Sequence, residues 1–346
     1  MQLPSFLALP VNFTPNNKVL AAFVHKFSAC KILIVGDVIA DQFVYGAINR
    51  VSREAPVFIL RHEQTQTLPG GAANAAANVA ACGGQSVLLG IIGTDAAGNN
   101  LRENLAAANV ETSYLMASDH WQTTTKMRIL AGQTHAPRQQ VIRLDYENDT
   151  QLTDDLETAL ANSLNKAAAG VSAIIISDYN YGVAGKKVTT AVRKIAKIKN
   201  IPVLVDSRFR LSEFGGATSA TPNQDEVEQL LGQKFANSEK LTAACLELRE
   251  KLDLGSLLVT RGADGMLLIE RGAAEPLHIP VVGSLEPVDV TGAGDTVMAT
   301  YALAISAGAN FSQAAQLANH AGGIVVMKRG TATVTQRELL LSLQNQ

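Results

Sequence analysis

Five short apolar runs punctuate the chain: residues 31–36 (KILIVG) before Asp37, Gln85–Gly93, Ala173–Ser177 before Asp178, Ile201–Val205 before Asp206, and Ser256–Thr260 before Arg261 and Gly262. Runs of this length without polar alternation suit strands buried on both faces. Helical stripes fill the intervals: near 15–27; at 95–108, where Asp95 can cap; at 153–168, with Leu156, Leu160 and Leu164 on one face; at 183–199; and at 239–252, with Leu241, Cys245, Leu248 and Leu252 inward. A short helix follows Thr221, Pro222 and Asn223, and the chain closes with helices at 294–308 and 312–328 and a last one opened by Thr335 and Glu338 at capping-box spacing. Such alternation predicts an α/β fold, a mainly parallel sheet flanked by helices on both faces.

Two stretches break the rhythm. Residues 43–48 with 57–67, and 123–131 with 139–147, mix β-branched, aromatic and polar positions without a helical stripe. They predict strands outside the main core, a small β-sheet lid over the ligand edge, formed by about 42–67 and 120–147. A turn at 263–265 predicts a hairpin into a strand at 266–270. With no repeat, linker or composition break, one domain over 1–346 is expected.

The acids and glycines fall where such a sheet gathers ligands. Asp37, Asp178, Asp206 and the Arg261-Gly262 pair lie at carboxyl ends of predicted strands, the edge where open α/β sheets bind. The stretch 289–296 (DVTGAGDT) opens a helix with glycines at 292 and 294. Free helix N-terminal amides and the positive end of the dipole make that turn an anion cradle, and Asp295 beside it can take a proton from an attacking hydroxyl. Residues 69–80 (PGGAANAAANVA) open a helix so poor in bulk that either a ligand or another helix must approach closely. Together these features describe a pocket for a sugar and a nucleotide phosphate chain. No GxxxxGK[ST], no GxGxxG after the first strand, no protein-kinase signature and no HExxH occurs, and the histidines form no metal triad.

Composition narrows the picture further. With 47% hydrophobic and 17% charged residues among 346, the chain is expected to be compact, and a net charge of −2 supplies no global field for nucleic acid. Cys30, Cys82 and Cys245 show no paired spacing and read as buried, reduced thiols of a cytoplasmic protein. The N-terminal stretch lacks a basic region and is interrupted by Pro4 and Pro10, so no signal peptide is expected, and no apolar run reaches membrane-span length.

On the segments 69–80 and 289–296, with Asn223-Gln224-Asp225-Glu226 as an NxxE element between them, the chain resembles the ribokinase-like (PfkB) family of carbohydrate kinases along nearly its whole length. The resemblance implies Asp295 as general base, with the amides of Gly292, Ala293 and Gly294 holding the transferring phosphoryl group. It implies ATP and Mg²⁺, with Asn223 and Glu226 organising the ion largely through water, and leaves a monovalent-cation requirement open. Sugar hydroxyls would meet Asp37, Gly70, Gly71, Asn74 and Asp178, and the adenine nucleotide Thr260, Gly262 and Asn319. Within the family, segments 36–46, 52–57, 123–130, 139–147, 177–182 and 221–228 are similar to the branch that phosphorylates D-glycero-D-manno-heptose 7-phosphate at C1, toward ADP-heptose for lipopolysaccharide. A sugar phosphate needs cations at its far end, and Lys126, Arg128 and Arg143, with Arg50 and Arg53, are the candidates. Asp206-Ser207-Arg208 stands where that branch reads Asp-Pro-Lys, and Gln42 where an arginine is common, so a hexose, hexose phosphate, ribose or nucleoside acceptor stays open. A non-catalytic sugar or nucleotide sensor has no need of Asp295. No HxGH motif occurs, so a separate adenylyltransferase is expected for that pathway. The resemblance and the bare lid edges imply a homodimer through the lid.

Overall fold

The structure, a computed structural model, describes residues 16–132, 138–148 and 152–345. Helix α1 (Asn17–Val24) leads to β1 (Lys31–Gly36), which runs through Asp37 alone into the long β2 (Val38–Val51). Strand β3 (Phe58–Gly71) returns and enters α2 (Ala72–Ala81) without a loop. Next come β4 (Gln85–Gly93), α3 (Ala96–Ala107), β5 (Val110–Glu111), β6 (Leu115–Ser118), β7 (Thr125–Gly132) and β8 (Gln139–Tyr146). The alternation then continues through α4 (Asp154–Ala167), β9 (Ala173–Asp178), α5 (Lys186–Lys199), β10 (Val203–Ser207), β11 (Ser219–Ala220), α6 (Gln224–Leu231) and α7 (Ser238–Lys251). Strands β12 (Ser256–Thr260), β13 (Met266–Glu270) and β14 (Leu277–Ile279) precede the closing helices α8 (Ala293–Ser306), α9 (Phe311–Val325) and α10 (Gln336–Gln344).

A ten-stranded sheet has the order β14-β13-β12-β11-β10-β9-β1-β4-β5, with β6 paired to β4. It is parallel from β5 to β12 and antiparallel at β13 and β14. The unbroken apolar runs follow from burial on both faces: in β1, Ile32 and Ile34 join one core cluster with α2, α8 and α9, while Leu33 and Val35 join another with α4, α5 and α7. A polar side chain on either face would be stranded among hydrocarbon. Caps fix where the helices begin. Asp95 accepts from the Gly98 amide at 2.8 Å, and Asn223 with Glu226 and Thr335 with Glu338 form reciprocal capping boxes.

The second sheet has four strands in the order β3-β2-β7-β8. Its strands outrun the expected 43–48 and 57–67, because β2 and β3 pair from Val38↔Gly71 out to Val51↔Phe58, while β2 also pairs in parallel with β7. The apolar positions 38–40 hid this crossing by continuing the β1 pattern. Strands β5, β6, β11 and β14 were not expected, being two to four residues long and too short for a legible period. The link between β7 and β8 lies largely outside the described residues, as do Pro4 and Pro10. All three cysteines are buried and free. Among the described residues no helix is long and apolar enough to cross a membrane.

Candidate active site

The site forms where the carboxyl ends of β9, β10 and β12 meet the start of α8. A cavity of about 710 Å³ there is lined by Asp178, Asp206, Asn223, Glu226, Thr260, Gly262, Asn319 and residues 290–295, among others. Gly292 adopts φ +75° at the N-cap of α8, and a side chain on it would run into the Asn74 amide nitrogen, so both conformation and space favour glycine. The Ala293 amide donates to Val290 O at 3.2 Å and closes the turn, whereas the Gly292 and Gly294 amides have no backbone acceptor among the described residues. The cradle expected from three consecutive amides therefore narrows to the two glycines that flank Ala293.

Asp295 follows in the first turn and is 3% exposed. Its Oδ2 accepts from Asn74 Nδ2 at 2.8 Å and its Oδ1 from the Tyr179 hydroxyl at 3.0 Å. Burial pushes its pKa up to about 7, against the pull of those two hydrogen bonds and of Lys126, with Asp41 adding to the rise. A carboxyl poised there suits proton acceptance near neutrality. Across the cavity, burial and the Glu226, Asp295 and Asp178 carboxylates raise the Asp206 pKa well above its ordinary value. Glu226 accepts from the Asn223 amide with one oxygen, and the other is left for a ligand. No cluster of three acid, histidine or cysteine groups is arranged to ligate a metal directly among the described residues. That donor set fits Mg²⁺, which keeps several waters and takes one or two carboxylates alongside phosphates.

Other expected residues are placed differently. The Asp37 carboxylate, 1% exposed, is filled by the amides of Tyr179, Tyr181 and Val183 at 2.8, 3.0 and 3.0 Å, so it holds a turn and leaves little to offer a sugar hydroxyl. Asp178 is paired with Arg210 at 2.5 Å and with the Ser207 hydroxyl at 2.7 Å. Gly70 and Gly71 are not among the residues lining that cavity; each is glycine for want of space, since a side chain on Gly70 would strike the Asp41 carboxylate at 2.5 Å and one on Gly71 the Asp37 carbonyl at 2.7 Å. Asn319 holds the Pro280 carbonyl at 2.7 Å. The lid cations also separate. Arg128 is paired with the buried Asp41, Arg143 is exposed and grips Asp145 through two bonds at 2.8 and 2.9 Å, and Arg50 and Arg53 are exposed. Lys126 instead lies over the Tyr179 and Tyr181 rings, 5.8 and 6.0 Å from their centres. Burial, then Arg208, lowers its pKa. Asp41 and Tyr179 were missed as site residues. Asp41 lay in a run whose neighbours are apolar, and only the position of Tyr179 beside Asp178 hinted at it.

Comparison with known proteins agrees with this geometry. Residues 31–338 match the pfkB family of carbohydrate kinases. The chain is 39% identical over 314 residues to "Bifunctional protein HldE" of Vibrio parahaemolyticus, covering 90% of this chain and 63% of that protein. It is 40% identical over 322 residues to the protein of the same name from Pseudomonas aeruginosa, covering 93% and 65%. The chain thus spans just under two thirds of the length of these relatives. Among solved structures its fold is similar to phosphofructokinase-2 of Escherichia coli in complex with potassium (TM-score 0.72, 17% identity, 91% of this chain and 98% of that one). It is also similar to Arabidopsis thaliana ribokinase complexed with ribose and ATP (TM-score 0.68, 20% identity, 91% and 98%).

The raised Asp295 pKa has a consequence for stability. Its folded value of about 7 lies above the ordinary 3.8, so the native state keeps a proton that the unfolded chain has already lost. The resulting stabilisation is complete below about pH 4 and is lost as pH rises through about 7. In urea unfolding at pH 5 and pH 8, Asp295→Asn should therefore gain on wild type by about 3 kcal/mol over that interval. An unchanged gap would mean that the carboxyl ionises in the folded protein as it does in water.

Proposed function

We propose a specific reaction for this chain, which belongs to the pfkB family of carbohydrate kinases: ATP-dependent phosphorylation of a sugar phosphate, D-glycero-D-manno-heptose 7-phosphate at its C1 hydroxyl, giving the 1,7-bisphosphate. The observation that carries the phosphoryl-transfer half is the buried Asp295 carboxylate beside the unpartnered amides of Gly292 and Gly294 on the cavity wall. Asp295 accepts the proton of the acceptor hydroxyl as the oxygen attacks the terminal phosphorus of ATP. The amides and the α8 dipole take up the charge of the moving group. Residues Thr260, Gly262 and Asn319 line the nucleotide end. Glu226 with Asn223 would hold Mg²⁺ through water, where the ion neutralises phosphate charge. Positioning and charge neutralisation suffice for a loose transition state.

The heptose assignment is supported by the segment resemblance and by the 39–40% identity to the HldE proteins. Lys126 supports a phosphorylated acceptor: it is a half-buried cation beside the site with no carboxylate within ion-pair distance among the described residues, whereas Arg128 and Arg143 are neutralised by acids. A sugar phosphate brings the missing anion. The exposed Phe58 of β3 and Val141 and Ile142 of β8, with Val57 just before β3, support pairing of two copies through the lid.

Three measurements test this reading. ADP release against a panel of sugars and sugar phosphates should be strongest with the heptose 7-phosphate and rise with pH through about 7, and Asp295→Asn should lower kcat by about 10³-fold or more with ATP binding retained. Preference for fructose 6-phosphate or a free sugar overturns the substrate, and retained turnover in the variant overturns the base. Lys126→Ala should raise KM for the sugar phosphate about tenfold or more while leaving KM for ATP unchanged, as loss of one charged contact does. Sedimentation should show a dimer that Ile142→Glu dissociates; a wild-type monomer would remove the lid contact.

A further inference from the structure

The residue expected to bind sugar, Asp37, is occupied inside the protein, and its contacts converge on the two groups that hold Asp295. Its backbone carbonyl accepts the Ala72 amide at 3.0 Å, which anchors the start of α2, the helix carrying Asn74. Its carboxylate accepts three amides from the turn after β9, which carries Tyr179. That turn is not a relaxed one: Asn180 sits at φ +66° and Gly182 at φ +104°. Three charge-assisted bonds into a dry site are what hold it in that shape.

Resting on the proposed kinase reading, we propose that Tyr179 is a positioning residue for the base Asp295, and that Asp37 orients it by building the turn after β9. Asn74 from α2 and Tyr179 from the turn each donate to one oxygen of the Asp295 carboxylate, at 2.8 and 3.0 Å. Two donors on different elements fix the carboxylate plane and leave a lone pair on each oxygen for the incoming hydroxyl. Lys126 of β7 packs over the Tyr179 ring and braces it from the lid side. The charged and titratable groups facing Asp295 are Tyr179 from the turn, Asp41 from β2, Lys126 from β7 and Asp206 from β10, with neutral Asn74 from α2. Of these, Tyr179 is the one titratable group that donates a hydrogen bond to the carboxylate, so its removal strips a partner from the ionised form and leaves the ring packing in place. The Tyr179 hydroxyl itself stays protonated, since burial and then the Asp295 charge push its pKa well up.

The test is Tyr179→Phe in the full chain, with aspartate labelled at the side-chain carboxyl by ¹³C and the Asp295 signal assigned by its loss in Asp295→Asn. The titration midpoint of Asp295 should move up by about one unit, and the acidic limb of the kcat profile should follow it, with KM for ATP unchanged. An unmoved midpoint, or lower turnover with an unmoved acidic limb, overturns the proposal. If wild type phosphorylates no sugar in the panel, the proposed reaction falls, while the carboxyl midpoint still decides the role of Tyr179. Asp37→Asn should shift the midpoint in the same direction; should that chain not fold, Tyr179→Phe decides alone.

Discussion

A carboxyl group held almost dry at the first turn of a helix is the constraint on which the rest of the site depends. Burying a carboxylate is strongly unfavourable unless donors replace its water, and Asp295 has Asn74, Tyr179 and the positive end of α8 for that purpose. Asn74 reaches it because α2 crosses α8 closely, and the crossing is close because its residues 72, 73 and 75–77 are alanines, all buried. The polar seam continues one turn further, where Asn78 accepts from the Thr296 hydroxyl at 3.1 Å and from the Val334 amide at 3.2 Å. The alanine-rich sequence thus serves a helix crossing first, and through that crossing it delivers one amide to the reactive carboxylate.

Much of this was legible because the physics that writes it is local. A short unbroken apolar run bounded by an acid or glycine suits a strand buried on both faces, a capping box announces its own helix, and Gly292 before Asp295 marks a turn with positive φ that glycine adopts without strain. The sheet, its helices and the cradle all follow from such signals. What stayed hidden was decided by partners far away in the chain. Asp37 lies between β1 and β2 and Asp41 four residues further on in β2; that one is filled by amides at 179–183 and the other pairs with Arg128 leaves no trace near residue 40. The lid cations were likewise equivalent on paper. Only pairing separates Arg128 and Arg143, each matched to an acid, from Lys126.

At β2 and β3 the four-stranded sheet joins the main body without a connecting loop. β2 leaves the main sheet through Asp37 alone, and β3 runs straight into α2, so Val38↔Gly71 ties the inner half of that sheet to the helix carrying Asn74, and Ala40↔Thr125 ties it to β7. Register breaks at Tyr45/Gly46 and Ile48/Arg50 mark where the ladder first loosens. Residues on the inner half, among them Asp41 and Lys126, which stand opposite each other across the β2–β7 ladder, are thereby tied to the same elements as the base. Beyond the breaks the ladder continues through Ala47↔Arg61 to Val51↔Phe58, with Arg61 and Phe58 exposed. In the proposed reaction this divides the work along a single pair of strands: the inner half sets which hydroxyl meets Asp295, and the outer half offers its exposed apolar residues to another copy.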